Sequence, residues 1–392
     1  MKNLTLIIVL WCAGLLAAAQ FAKIAVLLPE IRTIYPFSGN AIAWLLTLIS
    51  LVGAILGGIA GSIANRIGQK NVLLMALFGG GLLSLGQALL PDFGIMAASR
   101  VLEGLSHLGI VVAAPSFIAQ LSSDRWRGAA MSLWSTFFGV SFALFALIAI
   151  PLAKTAGVAN IFQFHGGMMI LVAIMLLIFL PDLDRPKFGT NAKVGLTGPN
   201  SIFAAYLRWP MVWPGIGWLF YTLTFVSMLA ILPDQIQSEL RGPTTTAMPL
   251  ISIVVSLVAV PLLLVRFSAT TIVMSGFALC AASITLSAVS SLPVVAVTLF
   301  GALGVVQGAT FAAVAELNAS AGERALGYGI LAQTGNIGNL LGTPIFLALL
   351  GVGGLTNMLI AVFAVYLIGL FCLLVTATRL RDKVHEPSKG PS

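Results

Sequence analysis

The feature that most limits what this chain can become is a succession of apolar runs, each about 20 residues long, from Leu4 to Thr378. A hydrocarbon core about 30 Å thick needs roughly 20 apolar residues per helix. In lipid only helices and closed barrels satisfy every backbone group internally. Cutting at the polar and Pro/Gly breaks gives twelve segments, six in each half. The first six cover residues 4–28, 41–64, 72–90, 94–120, 128–152 and 161–180. The second six cover 209–232, 246–265, 270–290, 294–317, 324–350 and 355–378. An all-α membrane protein with 12 transmembrane helices is expected. Only 8% of the residues are charged, against about 25% in a soluble domain, which excludes ordinary soluble enzymes, disordered tails and secreted disulfide scaffolds. Lys2, the run Leu4–Leu16 and Ala17-Ala18-Ala19 imitate a cleavable signal, but the apolar run continues through Phe21 to Leu28, so an uncleaved first helix is expected.

The distribution of charge orients these segments. With both termini in the cytoplasm, Lys2, Arg66, Lys70, Arg125, Arg127, Arg185, Lys187, Lys193, Arg208, Arg266, Arg324, Arg379, Arg381, Lys383 and Lys389 lie inside, 15 of the 20 basic residues. Arg32, Lys154 and Arg241 fall outside, and Lys23 and Arg100 fall within spans. This positive-inside bias fixes topology and accounts for the high pI without nucleic acid. A multi-pass protein of a bacterial inner (plasma) membrane, acting as a monomer, is the expectation. The stretch 181–208, with Asp182, Asp184, Arg185, Pro186, Lys187, Lys193 and Pro199, reads as a cytoplasmic linker between a six-helix bundle at 1–180 and another at 209–378. Residues 379–392 form a cytoplasmic tail. Glu103-Gly104 with Asp124-Arg125 and Gly128 is matched at shifted spacing by Gln307-Gly308 with Glu323-Arg324 and Gly327, which suggests an internal repeat. Cys12, Cys280 and Cys372 sit singly in apolar runs and show no metal or redox spacing.

After the second span comes Gly61-x-x-x-Asn65-Arg66-x-Gly68-Gln69-Lys70, which resembles the GxxxDRxGRK motif between helices two and three of the major facilitator superfamily. Glycines let two helix ends turn and approach, while the cations stay in the cytoplasm and can bond carbonyls at neighbouring helix ends. Asn65 and Gln69 depart from the family's Asp and Arg, which weakens a charge relay and leaves the turn and Arg66. Arg100-x-x-Glu103-Gly104 in span four resembles the family's RxxQG-type motif, whose Arg is associated with coupling. Span five lacks the Gly-Pro pair of drug/proton antiporters, since Val140 follows Gly139. The stretch Arg100–Pro115, with Trp134 beyond it, resembles the cyanate/nitroimidazole-transporter branch. The resemblance implies two pseudo-symmetric six-helix bundles and transport by alternating access.

Charged side chains at the bilayer centre cost about 2.5–3.5 kcal/mol each on insertion scales, so they face an interior and find partners. Arg100, Glu103 and His107 fall within an arc of about 60° on one helix face, and Gln20 and Lys23 lie about 60° apart on span one. Two readings stand side by side. In one, spans one and four wall a central cavity where Lys23, Arg100 and His107 meet an anionic substrate and Glu103 takes up a proton. In the other, Arg100 and Glu103 neutralise each other at i,i+3 and Lys23 snorkels outward. Lys23 and Arg100 against Glu103 leave one surplus positive charge, which points to a small organic or inorganic anion. The second half offers Tyr221, with Trp218, Thr224 and Met228, on span seven, and Gln333 and Asn336, with Asn339 and Thr343, on span eleven, as cavity lining or as helix–helix contacts. Glu316 is expected to bond a neighbouring helix end rather than solute.

There is no GxxxxGK[ST], no zinc-ligand spacing and no GxSxG elbow. No metal and no cofactor is expected, and no enzymatic activity. Uphill transport then draws on an ion gradient, here a coupling proton, with sodium or exchange as other routes. The alternatives are a proton-driven exporter of amphipathic compounds and a transporter-like ligand sensor.

Overall fold

The computed structural model describes residues 2–181 and 205–384, which are helical throughout apart from short turns. The first half contains α1 (Lys2–Ala25), α2 (Trp44–Ile67), α3 (Gln69–Gln87), α4 (Phe93–Leu121), α5 and α6 (Val158–Phe179). α5 runs through Asp124–Ser135 and Phe137–Ala156 with a break at Thr136. The second half contains α7 (Trp209–Ile231), α8 (Ser238–Leu264), α9 (Ala269–Thr285) and α10 (Leu292–Leu317). One further helical stretch, Ala321–Val384, bends at Gly354, where φ is 68°, into α11 (321–353) and α12 (355–384).

Among the described residues, ten stretches are long and apolar enough to cross a membrane. The last of them is the two arms α11 and α12, and the glycine-rich α3 completes the twelve. The protein is therefore an all-α membrane protein with 12 transmembrane helices in two six-helix bundles. Most of the linker expected at 181–208, and the tail from residue 385 on, lie outside the described residues. α12 continues to residue 384, past the expected end at 378.

Two starts differ from the sequence reading for identifiable reasons. α8 begins at Ser238 rather than 246 because Pro243 and Pro249 lie inside the helix, and prolines are tolerated where neighbouring helices support the freed carbonyls. Further along, Pro261 has no N–H to donate, and the ladder ahead of it widens into a π-turn at Val255–Ala259. α5 begins at Asp124 rather than 128, where Arg127 pairs with Asp124 at 2.7 Å.

Packing is closest where glycines align. On α11, side chains at Gly335, Gly338 and Gly342 would collide with Trp218, Thr222 and the Leu223 carbonyl of α7. Such small-residue rows let membrane helices approach without a hydrophobic driving force. Large apolar side chains such as Leu82, Leu147, Ile178, Val265 and Phe371 stay exposed, which suits a surface facing acyl chains.

The two bundles meet along α2 with α11 and along α5 with α8 and α10. The contacts cluster toward the face where α1 begins and the described part of α12 ends. Asn65 Nδ2 donates to the Gly322 carbonyl at 3.0 Å, and Gln333 Nε2 donates to the Ala54 carbonyl at 2.8 Å. Ser132 Oγ donates to the Gly308 carbonyl at 3.1 Å, and Ser135 and Ser256 hydroxyls meet at 3.0 Å. The halves are sealed at that face, and a cleft remains between them above the seal.

Candidate functional site

The intramembrane charges come together inside the first bundle. Lys23 of α1, Arg100 and Glu103 of α4 are each 0% exposed. Lys23 Nζ lies 2.6 Å from Glu103 Oε1, and Arg100 Nη1 donates to Glu103 Oε2. Lys23 also donates to Gln87 Oε1 at 2.7 Å and Ser84 Oγ at 3.0 Å of α3, with the Phe162 ring 4.9 Å away. Gln87 Nε2 donates to Glu103 Oε2 at 2.9 Å, and Arg100 Nε to the Leu45 carbonyl of α2 at 2.9 Å. His165 of α6 closes the network, with Nδ1 2.9 Å from Ser84 Oγ and Nε2 3.0 Å from the Leu16 carbonyl. A carbonyl only accepts, so Nε2 carries the proton. Two cations and one carboxylate thus share a dry site joining α1, α2, α3, α4 and α6. Glu103 is its hub, as the unpaired alternative for a buried charge is very costly.

The cleft between the bundles, with a cavity volume of about 80 Å³, is lined from α1, α4, α5, α7, α10 and α11. Phe21, Phe137 and Phe138 face it from the first half; Trp218, Tyr221, Phe225, Phe311 and Tyr328 face it from the second. None of the described lining residues is Lys, Arg, Asp or Glu. The one histidine among the described lining residues is His107, whose Nδ1 donates to the Ala17 carbonyl at 3.0 Å and whose ring meets Phe21 edge-on at 4.9 Å. That bond fixes the tautomer and leaves Nε2 as the ring's available nitrogen.

On the opposite wall Trp218 stacks on Tyr221 at 4.5 Å, and Tyr221 on Phe225 at 5.1 Å. Gln307 of α10 ties the wall together. Its Oε1 accepts from Tyr221 Oη and Ser252 Oγ, each at 3.0 Å, and its Nε2 donates to the Ser135 carbonyl of α5 at 2.6 Å. Gln307 occupies in the second bundle the hub that Glu103 occupies in the first. The repeat is therefore charged on one side and neutral on the other.

Sequence expectation and geometry divide as follows. The pairing of Arg100 with Glu103 at i,i+3 is present. Lys23 joins that pair instead of snorkelling outward. Lys23 and Arg100 do not reach the cleft, contrary to the expected wall of cations, because Glu103 and Gln87 hold them inside the bundle. His107, Tyr221 and Asn336 do line it. Gln333 does not: its amide bridges to Ala54, and Tyr206, just before α7, donates to its Oε1. Partial burial holds the Tyr206 phenol above its ordinary pKa, so it donates throughout the physiological range.

The loop motif sits at the sealed face. Gly68 caps α3 with φ of 100°, a conformation that favours glycine. Lys70 Nζ donates to the Leu180 carbonyl at 2.7 Å, Asn65 reaches Gly322, and Gly61 is pressed against the Ala325 carbonyl, where a Cβ would collide. Arg66 is exposed, so Asn65 rather than the arginine makes the bond across the halves. Glu316 Oε2 accepts the Ala269 N–H at 2.8 Å, at the start of α9, as expected of a helix-end partner. Sequence reasoning missed His165 and Ser84, whose partners are 60 or more residues away, Gln87, which joins Lys23 to Glu103 across three helices, and Gln307, which the match of Gln307-Gly308 to Glu103-Gly104 signals.

Known proteins share this architecture. A family model described as Major Facilitator Superfamily matches residues 10–321. The putative metabolite transport protein YwtG of Bacillus subtilis is 31% identical over 147 residues, 36% of this chain and 31% of that protein. The galactose-proton symporter of Escherichia coli is 28% identical over 180 residues, 44% of this chain and 37% of that protein. The chain thus spans about a third of the length of these curated relatives. Among solved structures, the human organic anion transporter MFSD10 superposes with a TM-score of 0.76 at 17% identity, covering 95% of this chain and 99% of that one.

Proposed function

The chain belongs to the major facilitator superfamily, and on that premise we propose that it is a proton-coupled secondary transporter that carries a small organic anion through the inter-bundle cleft by alternating access. The observation that carries this reading is the buried triad, two cations against one carboxylate, one helical turn along α4 from His107 in the cleft. Its excess positive charge acts through a low-dielectric interior and favours an anion in the cleft without contacting it. The aromatic lining demands that the anion bring an apolar body.

Proton coupling has two sites on α4. Glu103 gains a proton only when movement of α1 takes Lys23 off it, which ties protonation to the change of facing state. His107 can accept a proton on Nε2 and then donate to a carboxylate. A proton symporter among the relatives supports this choice of ion. With the positive-inside orientation both termini are cytoplasmic, in a bacterial inner membrane, and the sealed face is the cytoplasmic one. The state is then outward-facing. Residues 100–115 are the sole support for the narrower branch suggested by sequence.

Uptake by vesicles containing the purified protein tests the reading. An inward proton gradient should accumulate small organic acids, and Glu103→Gln should abolish that accumulation while solute exchange continues. Movement of cations or neutral solutes only, or unchanged pH-driven uptake by the variant, refutes it. The aromatic lining also suits a second reading, export of amphipathic compounds, which would appear as proton-driven efflux of an amphipathic dye. A ligand sensor would bind without flux.

A further inference from the structure

Resting on that transport reading, we infer that the solute is an aromatic acid bearing a ring hydroxyl or N–H, whose donor is received by the side-chain oxygens of Asn336 and Asn339. Both residues line the cleft, and the Oδ1 of each is buried without a hydrogen-bond partner. The orientation of Asn336 is fixed: its Nδ2 donates to the Ala332 carbonyl at 2.7 Å, and turning the amide over would set oxygen against oxygen. Gly53 of α2 packs against the same amide and holds it in place.

Apart from His107, whose Nε2 is available, the neighbouring amide and hydroxyl groups of the cleft are committed. Both ends of Gln307 are used by Tyr221, Ser252 and Ser135. Thr222 donates to the Trp218 carbonyl at 2.9 Å, and Ser135 to the Ser132 carbonyl at 2.7 Å. What the site lacks is a donor, and it lacks it on the α11 wall. A buried acceptor left unmade costs more than a made bond returns, so a solute that supplies the donor is selected over one that does not.

Shape and charge narrow the class. Trp218 and Tyr221 lie stacked, with Phe311 edge-on to Trp218 at 5.0 Å, and Phe137 and Phe138 stand on the first-half side. Such walls fit a flat ring by offset or edge-to-face contact. A saccharide, with donors and acceptors around its whole rim, would leave most of them against aromatic faces. An organic cation would suit the rings but meets the excess positive charge of the triad. A bare inorganic anion leaves the ring slot empty.

Binding by the purified full chain, read by quenching of tryptophan fluorescence in detergent, isolates this inference from proton coupling. The probes are benzoate, its three monohydroxy derivatives, cyclohexanecarboxylate and D-galactose. At least one hydroxybenzoate should bind about ten-fold tighter than benzoate, the size of one well-made hydrogen bond, and cyclohexanecarboxylate should bind more weakly than benzoate. In Asn336→Ala and in Asn339→Ala the hydroxyl preference should fall toward unity while benzoate still binds measurably, which shows that the cleft is intact. Equal binding of benzoate and all its hydroxy forms, preference retained in both variants, or tight binding of galactose overturns the inference. Absence of pH-driven uptake with the hydroxyl preference intact instead overturns the coupling reading alone.

Discussion

Glu103 satisfies Lys23 from one helix and Arg100 from its own, in a place where neither cation has water to turn to. Removing one partner of a buried charge cluster costs about 3–5 kcal/mol because the other is stranded, whereas replacing the whole pair by apolar groups is often neutral. Glu103→Gln should therefore lower the melting temperature in detergent clearly, and the double change Lys23→Met with Glu103→Gln should recover only the part due to Lys23, since Arg100 stays stranded. Additive losses in that cycle would show that Lys23 and Glu103 are not coupled. The Arg100–Glu103 half of this cluster was legible in the sequence, because i,i+3 spacing places both on one helix face. The Lys23, Gln87 and His165 half was not, because helix pairing brings together residues that no local spacing connects.

At the scale of elements, the tightest joint is α7 against α11, where Gly338 faces Thr222 and the backbone of Leu219. A Gly338→Val change overpacks it, and overpacking typically costs about 1–3 kcal/mol. Gly351→Ala on the same helix meets no atom within 4 Å and serves as the neutral comparison. Thermal melts of both variants check this, and equal melting temperatures would contradict the packing described. The number of helices could be read from apolar runs because lipid thickness sets their length. Their starts could not always be, since Pro243 and Pro249 read as breaks in sequence yet lie within α8. The polar stripe of α11 was visible too. Sequence alone could not tell that Gln333 bonds to α2, that Asn336 both packs on Gly53 of α2 and lines the cleft, and that Asn339 lines the cleft, because a stripe about 120° wide spans both surfaces.

For the whole molecule, the proposed transport cycle requires the seal between the bundles to open and close. Asn65→Cys with Gly322→Cys, in a background with Cys12, Cys280 and Cys372 replaced, places two thiols across the sealed face. A short bifunctional thiol reagent should stop net transport while leaving solute binding from the open side within about two-fold, since the cleft itself is untouched. Transport that continues at the original rate with the link formed would mean that this face does not open. One bond gives the cycle a direction of ease. Gln307 belongs at once to the solute chamber and, through the Ser135 carbonyl, to the seam. An unladen carrier must break that amide bond with nothing to replace it, while a passenger that engages the amide offers a substitute. On the proposed cycle, counterflow of labelled for unlabelled passenger should therefore outrun net discharge, with the empty return stroke as its slow leg.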